Sequence, residues 1–478
     1  MLLNEKEYTE NCVKFKKKVK SMSSEAKKST SLTEGSIPKK IIGFAIPLFL
    51  GNLFQQMYNM ADSLIVGNFL GDEALASVTS TGSLIFLLVG FFNGTAMGAG
   101  VVIGRYFGAK DYEKLKRAVH TDVAFGLIAG TLMTIIGVLF TPIILQWMGT
   151  PADVFPNSVA YLRVYFCGSL ASIMYNICMG ILHAIGDSKH PLYYLIFSSC
   201  VNITLDLIFC GVFRLGVQYA ALATIISQFL SVVLCMSRLT RVKDVYQIHL
   251  KEVRIDPEMI KQIITIGLPS GVQNSIISLA NIVVQSNINA FGTAAMAGCG
   301  SYSKLEGFGF LPITCFTMAL TTFVSQNLGA KEYDRVKKGT AFGIGCTLFL
   351  AETMGVLIFT LAPHVIGIFG GGPETIAYGV LQAKTVTLFY FLLAFSHASA
   401  AIMRGAGKST VPMYVMLISW CAIRITYITI VGTLFDNIQL IFMAYPITWS
   451  ISSAIFLVYL LKGNWMYNFE RQELKECS

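Results

Sequence analysis

The sequence predicts an all-α polytopic membrane protein, with twelve transmembrane helices in two pseudo-symmetric six-helix bundles. Composition is the first ground. Of 478 residues, 54% are apolar and 13% charged, where a soluble domain would carry about 25% charged residues. Hydropathy along the chain is the second: twelve stretches reach the length of about 18 to 20 apolar residues that crossing a bilayer requires. The third is an internal repeat at an offset of about 221 residues, far longer than a solenoid period and suited to a protein made of two equivalent helical bundles.

The first six stretches fall at residues 41–68, 74–104, 118–147, 158–185, 190–213 and 217–240, and the second six at 259–291, 294–325, 339–370, 376–403, 410–435 and 438–461. Several exceed the needed length, so tilted or bent helices are expected, with kinks expected at Pro47, Pro269 and Pro312. The repeat is read most directly where Phe107-Gly108-Ala109-Lys110-Asp111-Tyr112-Glu113 returns as Leu328-Gly329-Ala330-Lys331-Glu332-Tyr333-Asp334 with each charge kept in sign. Gly71, Gly186 and Pro191 likewise meet Gly292, Gly407 and Pro412. The expected organisation is a basic tail over 1–35, an N-terminal lobe over 36–240, a linker over 241–258, a C-terminal lobe over 259–463 and a short tail over 464–478.

Lys and Arg crowd the N-terminal tail, the loop at Arg105 to Arg117, the central linker, and Lys331 to Lys338, whereas the alternate loops hold only Arg214. The positive-inside rule then places both termini in the cytoplasm. The net charge of +9 follows from that topology and calls for no nucleic-acid partner, although the basic tail suits contact with anionic membrane lipid. No apolar segment precedes residue 41, so the first span is expected to act as its own insertion signal. The eleven cysteines are irregularly spaced and read as small apolar residues.

Two strings imitate catalytic motifs. Gly405-Ala406-Gly407-Lys408-Ser409 ends like a phosphate-binding loop, but Ile402 replaces its first glycine. Ala184-Ile185-Gly186-Asp187 resembles an intramembrane protease signature without its leading glycine. Both read as tight turns in which glycine supplies a positive φ. With no zinc-protease motif and no nucleophile elbow, the chain is expected not to be an enzyme and to need no cofactor.

The polar groups inside the spans remain, and an ionisable residue there marks function by default. Gln55, Asn59 and Asp62, with Tyr58 beside them, form one stripe on the first span. Ser199, Asn202 and Asp206 share a face of the fifth, and Thr224 with Gln228 a face of the sixth. Three helices thus offer converging oxygens, two of them carboxylates. The second half lacks this cluster: Asn202, Asp206 and Thr224 meet Ile423, Tyr427 and Tyr445, and Asp62 meets a valine. Two carboxylates in one low-dielectric site repel, so one must hold a proton unless a cation such as Na⁺ neutralises the pair.

At these residues the sequence resembles the multidrug and toxic compound extrusion (MATE) family of cation-coupled exporters. The resemblance rests on Met57-Tyr58-Asn59-Met60-Ala61-Asp62, on Asn202-Ile203-Thr204-Leu205-Asp206 and on Gly216-Val217-Gln218-Tyr219-Ala220-Ala221-Leu222-Ala223-Thr224. It implies a MATE-like fold and, in the prokaryotic group with an N-lobe site, coupling of H⁺ or Na⁺ at Asp62, Asn202, Asp206 and Thr224. It also implies that Gln55, Tyr58, Asn59, Tyr161, Asn176 and Ser199 face the substrate cleft. The acids that members with a C-lobe Na⁺ site carry in the seventh and tenth spans are missing. His183 stands where an arginine is common, and Arg404 keeps it in the second half. His183 is assigned no role.

The second half carries its own buried charges, Lys304, Glu306, Glu352 and Arg424, expected either to pair with one another or to give cationic substrates a second foothold. The resulting expectation is a monomeric antiporter that exports small amphipathic, cationic molecules by alternating access, in exchange for H⁺ or Na⁺. A flippase for lipid-linked saccharides has related architecture, but its cleft would need several cationic residues for pyrophosphate.

Overall fold

The computed structural model describes residues 31–470 apart from 149, 151–153, 369–371 and 436. The basic cluster from Lys14 to Lys28, Cys12 and Cys477 lie outside the described residues. Helices account for all the regular structure among the described residues, as they must where lipid offers the backbone no hydrogen-bond partner.

In the first half, α1 runs over Ile37–Leu70, α2 over Asp72–Ala109 and α3 over Tyr112–Trp147. They are followed by α4 (Phe155–Cys167), α5 (Ser169–Ala184), α6 (Lys189–Asp206, continued by a π-type segment, Leu207–Val212) and α7 (Gln218–Arg241). The second half holds α8 (Pro257–Asn289), α9 (Thr293–Gly329), α10 (Tyr333–Ile368), α11 (Pro373–Val386) and α12 (Tyr390–Gly405). It ends in α13 (Thr410–Met416), α14 (Arg424–Leu434), α15 (Ile438–Phe442) and α16 (Ala444–Lys462). Among the described residues ten helices are long and apolar enough to cross a membrane, and the bent pair α4–α5 makes an eleventh. On α3, Leu132, Ile135, Leu139 and Ile143 are exposed, Leu139 by 65%, so the helix turns an apolar stripe outward, as a lipid-facing helix does.

The repeat is visible in the backbone. Lys110 and Lys331 share the left-handed conformation (φ 58° and 59°), and Gly71 with Gly292 (88°, 100°) and Gly186 with Gly407 (88°, 74°) repeat positive φ at matched turns. Gly186 and Gly407 are the turns read from the two motif-like strings. The helices run on through Pro47, Pro269 and Pro312. A 48° bend lies between α4 and α5, at Gly168, where a Cβ would stand 2.2 Å from Cγ1 of Ile225 on α7. Close approach, not proline, sets that break.

The halves meet through main chain. A Cβ on Gly94 or Gly98 of α2 would fall 2.3 Å or 2.4 Å from Gly271 or Gly267 of α8. Nearer the face that carries the basic loops, a Cβ on Gly108 would lie 1.9 Å from the Gln326 carbonyl oxygen, and one on Gly329 would lie 2.0 Å from that of Arg105. Here α2 and α9 cross with their main chains in contact at the basic-loop face. Segments assigned to the tails by sequence cover it. The Leu32 amide donates to Gln326 Oε1 (2.9 Å), and Arg335 Nη2 donates to the Leu32 carbonyl (3.0 Å). Trp465 and Phe469 are buried, with the Arg105 guanidinium 4.4 Å over the Phe469 ring.

The linker is docked on α3. Asp256 caps α8 by accepting from the amides of Glu258 and Met259 (3.0 and 3.2 Å), and Arg117 bridges Asp256 and Glu258 at 2.8 and 2.7 Å. The hydrogen bond from Lys116 holds the Glu252 carboxyl below the usual carboxylate range.

Candidate functional site

The polar stripes of α1, α6 and α7 converge in the first half. The carboxyl groups of Asp62 and Asp206 lie within hydrogen-bonding reach of each other. Asn202 Nδ2 donates to Thr224 Oγ1 (3.3 Å), and that hydroxyl donates to the Ala220 carbonyl (3.2 Å). Asp206 is 0% and Asn202 1% exposed. Asp62 Oδ1, Asn202 Oδ1 and both carboxylate oxygens of Asp206 are buried and accept no hydrogen bond. Two ionised carboxylates can only accept, so the arrangement needs a proton or a cation between them. The four unpartnered oxygens of Asp62, Asn202 and Asp206 therefore suit a small cation chemically, and Tyr161 and Tyr58 lie close to both acids. The α-helix of α6 gives way to its π-type segment at Asp206 itself, an irregularity frequent at functional positions.

The other cleft candidates divide. Gln55 and Asn176 line an inner cavity of about 460 Å³ between the halves. Tyr58 lies beside Gln55, Ser199 donates to the Leu195 carbonyl at 2.8 Å, and Asn59 is exposed. Neither Asp62 nor Asp206 lines that cavity, and its wall contains no carboxylate among the described residues. It lies just beyond the α2–α9 crossing. Its polar lining comes from both halves and includes Gln273, Asn274, His183, His397 and Arg404, none of them among the residues singled out as a site from sequence. A signal was available: His183 and Arg404 stand at the repeat offset.

The second half fills the place equivalent to the acidic cluster differently. Arg424, 1% exposed, donates to Thr448 Oγ1 (2.9 Å) and Asn281 Oδ1 (3.4 Å), and its guanidinium lies 4.8 Å from the Tyr445 ring and 5.3 Å from that of Trp420. Glu306 accepts from the hydroxyls of Tyr302 (3.2 Å) and Tyr390 (3.3 Å). No ion pair joins Glu306 to Arg424 among the described residues; each takes neutral partners instead. Glu352 keeps one buried oxygen without a donor, and Lys304 is exposed.

A helical membrane protein of two like halves around a shared cavity, with ionisable groups held inside the bundle, is in class a transporter and not an enzyme. The MatE family model matches the chain twice, over residues 47–208 and 269–430, and the chain belongs to that family. It is 29% identical to the probable multidrug resistance protein YoeA of Bacillus subtilis, over 90% of this chain and 94% of that protein. With the multidrug export protein MepA of Staphylococcus aureus it shares 25% identity over 89% and 94%. Among solved structures, an outward-facing MATE family multidrug resistance transporter superposes with a TM-score of 0.84 at 22% identity, covering 94% of this chain and 99% of that one. A MOP superfamily transporter from Pyrococcus furiosus gives 0.85 at 22% identity, covering 90% and 97%.

Proposed function

We propose that this chain is a cation-coupled antiporter that exports amphipathic organic compounds across a prokaryotic plasma membrane by alternating access, through twelve spans in two six-helix lobes with both termini cytoplasmic. Asp62, Asn202, Asp206 and Thr224 form the coupling site. The observation that carries this reading is the pair of half-buried Asp62 and buried Asp206, in which Asp62 Oδ1 and both Asp206 oxygens have no donor. Occupancy by H⁺ or Na⁺ removes the repulsion within the pair, and release restores it, so each cycle changes the preferred packing of α1 against α6. The drug-export names of relatives such as YoeA and MepA support the substrate side. Organic cations, attracted by the same acids, are the substrates first expected. In this orientation the α2–α9 crossing closes the cytoplasmic side, so the conformation described is the one shut to the cell interior.

The test is dye export in proteoliposomes with a pH gradient and a Na⁺ gradient imposed separately, for wild type, Asp62→Asn and Asp206→Asn. Transport driven by one gradient and lost in both variants supports the coupling site. Unaltered transport in both variants overturns it. The flippase reading gains from cationic cavity residues, of which the inner cavity has one permanent example among the described residues, Arg404; retention of dye export with no response to either gradient would bring it forward.

A further inference from the structure

The inner cavity and the acidic cluster are chemically opposite. Arg404 is 8% exposed and lines the cavity from the last turn of α12. Its Nε is buried without a partner, and no ion pair reaches its guanidinium among the described residues. A fixed charge in that position is costly unless something answers it. The arginines elsewhere in the bundle show the contrast, since Arg424 is bonded to Thr448 and Asn281 and Arg105 donates to the Phe469 carbonyl.

His183, the counterpart of Arg404 at the repeat offset, lines the same cavity, and its Nε2 is likewise buried and unpartnered. His397 lines it too, set edge-on against Phe310 (5.0 Å). Among the described residues the remaining wall is neutral amide, hydroxyl and apolar side chains, with no carboxylate to pair the arginine. A volume of about 460 Å³ is that of a small-molecule pocket. A guanidinium fork with spare donors is the group best matched to carboxylate or phosphate oxygens.

We propose that the inner cavity is an anion-accepting subsite in which Arg404, flanked by His183 and His397, receives the acidic head of an amphiphile while the apolar wall takes its tail. The ligands of this cavity are therefore carboxylate-, phosphate- or sulfonate-bearing amphiphiles, acidic or zwitterionic, whereas organic cations are drawn to Asp62 and Asp206 outside it. The proposal rests on the transport reading only in placing the cavity on the substrate path; binding itself requires no coupling ion. The same head-group chemistry is offered by a bilayer lipid and by a soluble amphiphile, and the experiment separates the two.

Radiolabelled octyl phosphate is bound to the full chain in phosphatidylcholine nanodiscs without any gradient and competed with octanoate, octyl phosphate and octyltrimethylammonium, which share one tail. The acids are expected to compete at least about tenfold better than the ammonium, the margin of one charge-assisted hydrogen bond. Arg404→Gln is expected to lose that preference and Arg404→Lys to keep part of it. Equal or better competition by octyltrimethylammonium overturns the proposal, and so does an unchanged preference in Arg404→Gln. The wild-type head-group comparison decides even if Arg404→Gln does not fold. Adding phosphatidylglycerol to the discs identifies the source: competition marks a bilayer lipid, and its absence a soluble amphiphile, both on the same subsite. Because no gradient is applied, anion preference stands or falls separately from the coupling tested with Asp62→Asn and Asp206→Asn.

Discussion

Replacing Gly329 by alanine tests the closure of the basic-loop face. The new methyl would lie 2.0 Å from the Arg105 carbonyl oxygen, where real Cβ contacts stay beyond 3.0 Å, so α2 and α9 must part there by about 1 Å. Main chain cannot swing aside as a flexible side chain does. Inserting a methyl into a packed contact costs roughly 1–3 kcal/mol. The intrinsic helical gain of alanine over glycine, about 1 kcal/mol, accrues wherever the helix is formed, so it cancels between conformations of the folded protein. The net penalty falls on the conformation in which α2 and α9 touch, and the equilibrium should move toward the form open on that face by about 5- to 150-fold. Spin labels at Glu113 and Asp334, exposed and at matched positions of the two halves, would report the change as a longer distance population. Gly300→Ala on the same helix, where a Cβ meets nothing within 4 Å, is the control. If Gly329→Ala and Gly300→Ala both give the wild-type distribution, the crossing is not what closes this face.

Asp206→Asn supplies a permanent donor to Asp62 and should reduce gradient-driven dye export by at least about tenfold, read in proteoliposomes. Gly168→Ala should lower stability by about 1–3 kcal/mol through the clash with Ile225, and Ile225→Ala should restore part of the loss in the double variant, measured by thermal unfolding in detergent. Arg424→Lys keeps the charge but cannot span Thr448 and Asn281 while stacking on Tyr445; a loss of about 1–3 kcal/mol is expected by the same method. Asp256→Ala removes the α8 cap and should cost about 1 kcal/mol, seen as faster amide exchange in the first turn of that helix.

What the sequence made legible was whatever repeats at short range. Apolar runs located the helices to within a few residues, and helical spacing put Asp62 on one stripe and Asn202 with Asp206 on another, so their meeting followed from two helices packing side by side. Features built from single residues of distant helices left no such trace. Gly168 bends its span where Ile225 of another helix approaches it. The Leu32 segment reads as disposable tail until Gln326 and Arg335 are seen to hold it. Arg404 and His183 were visible as a matched pair, but each sits at a turn whose glycine explained the local pattern, and nothing in the linear order says that both face one cavity.

The contact between the halves has a historical consequence. Where Gly94 meets Gly271 and Gly98 meets Gly267, the touching atoms belong to the backbone, which mutation elsewhere does not rewrite. After the ancestral duplication each half could drift independently, one gathering carboxylates and the other settling an arginine among rings, without either losing its fit to its sibling. A joint written in glycine lets the two copies specialise while still moving as one machine.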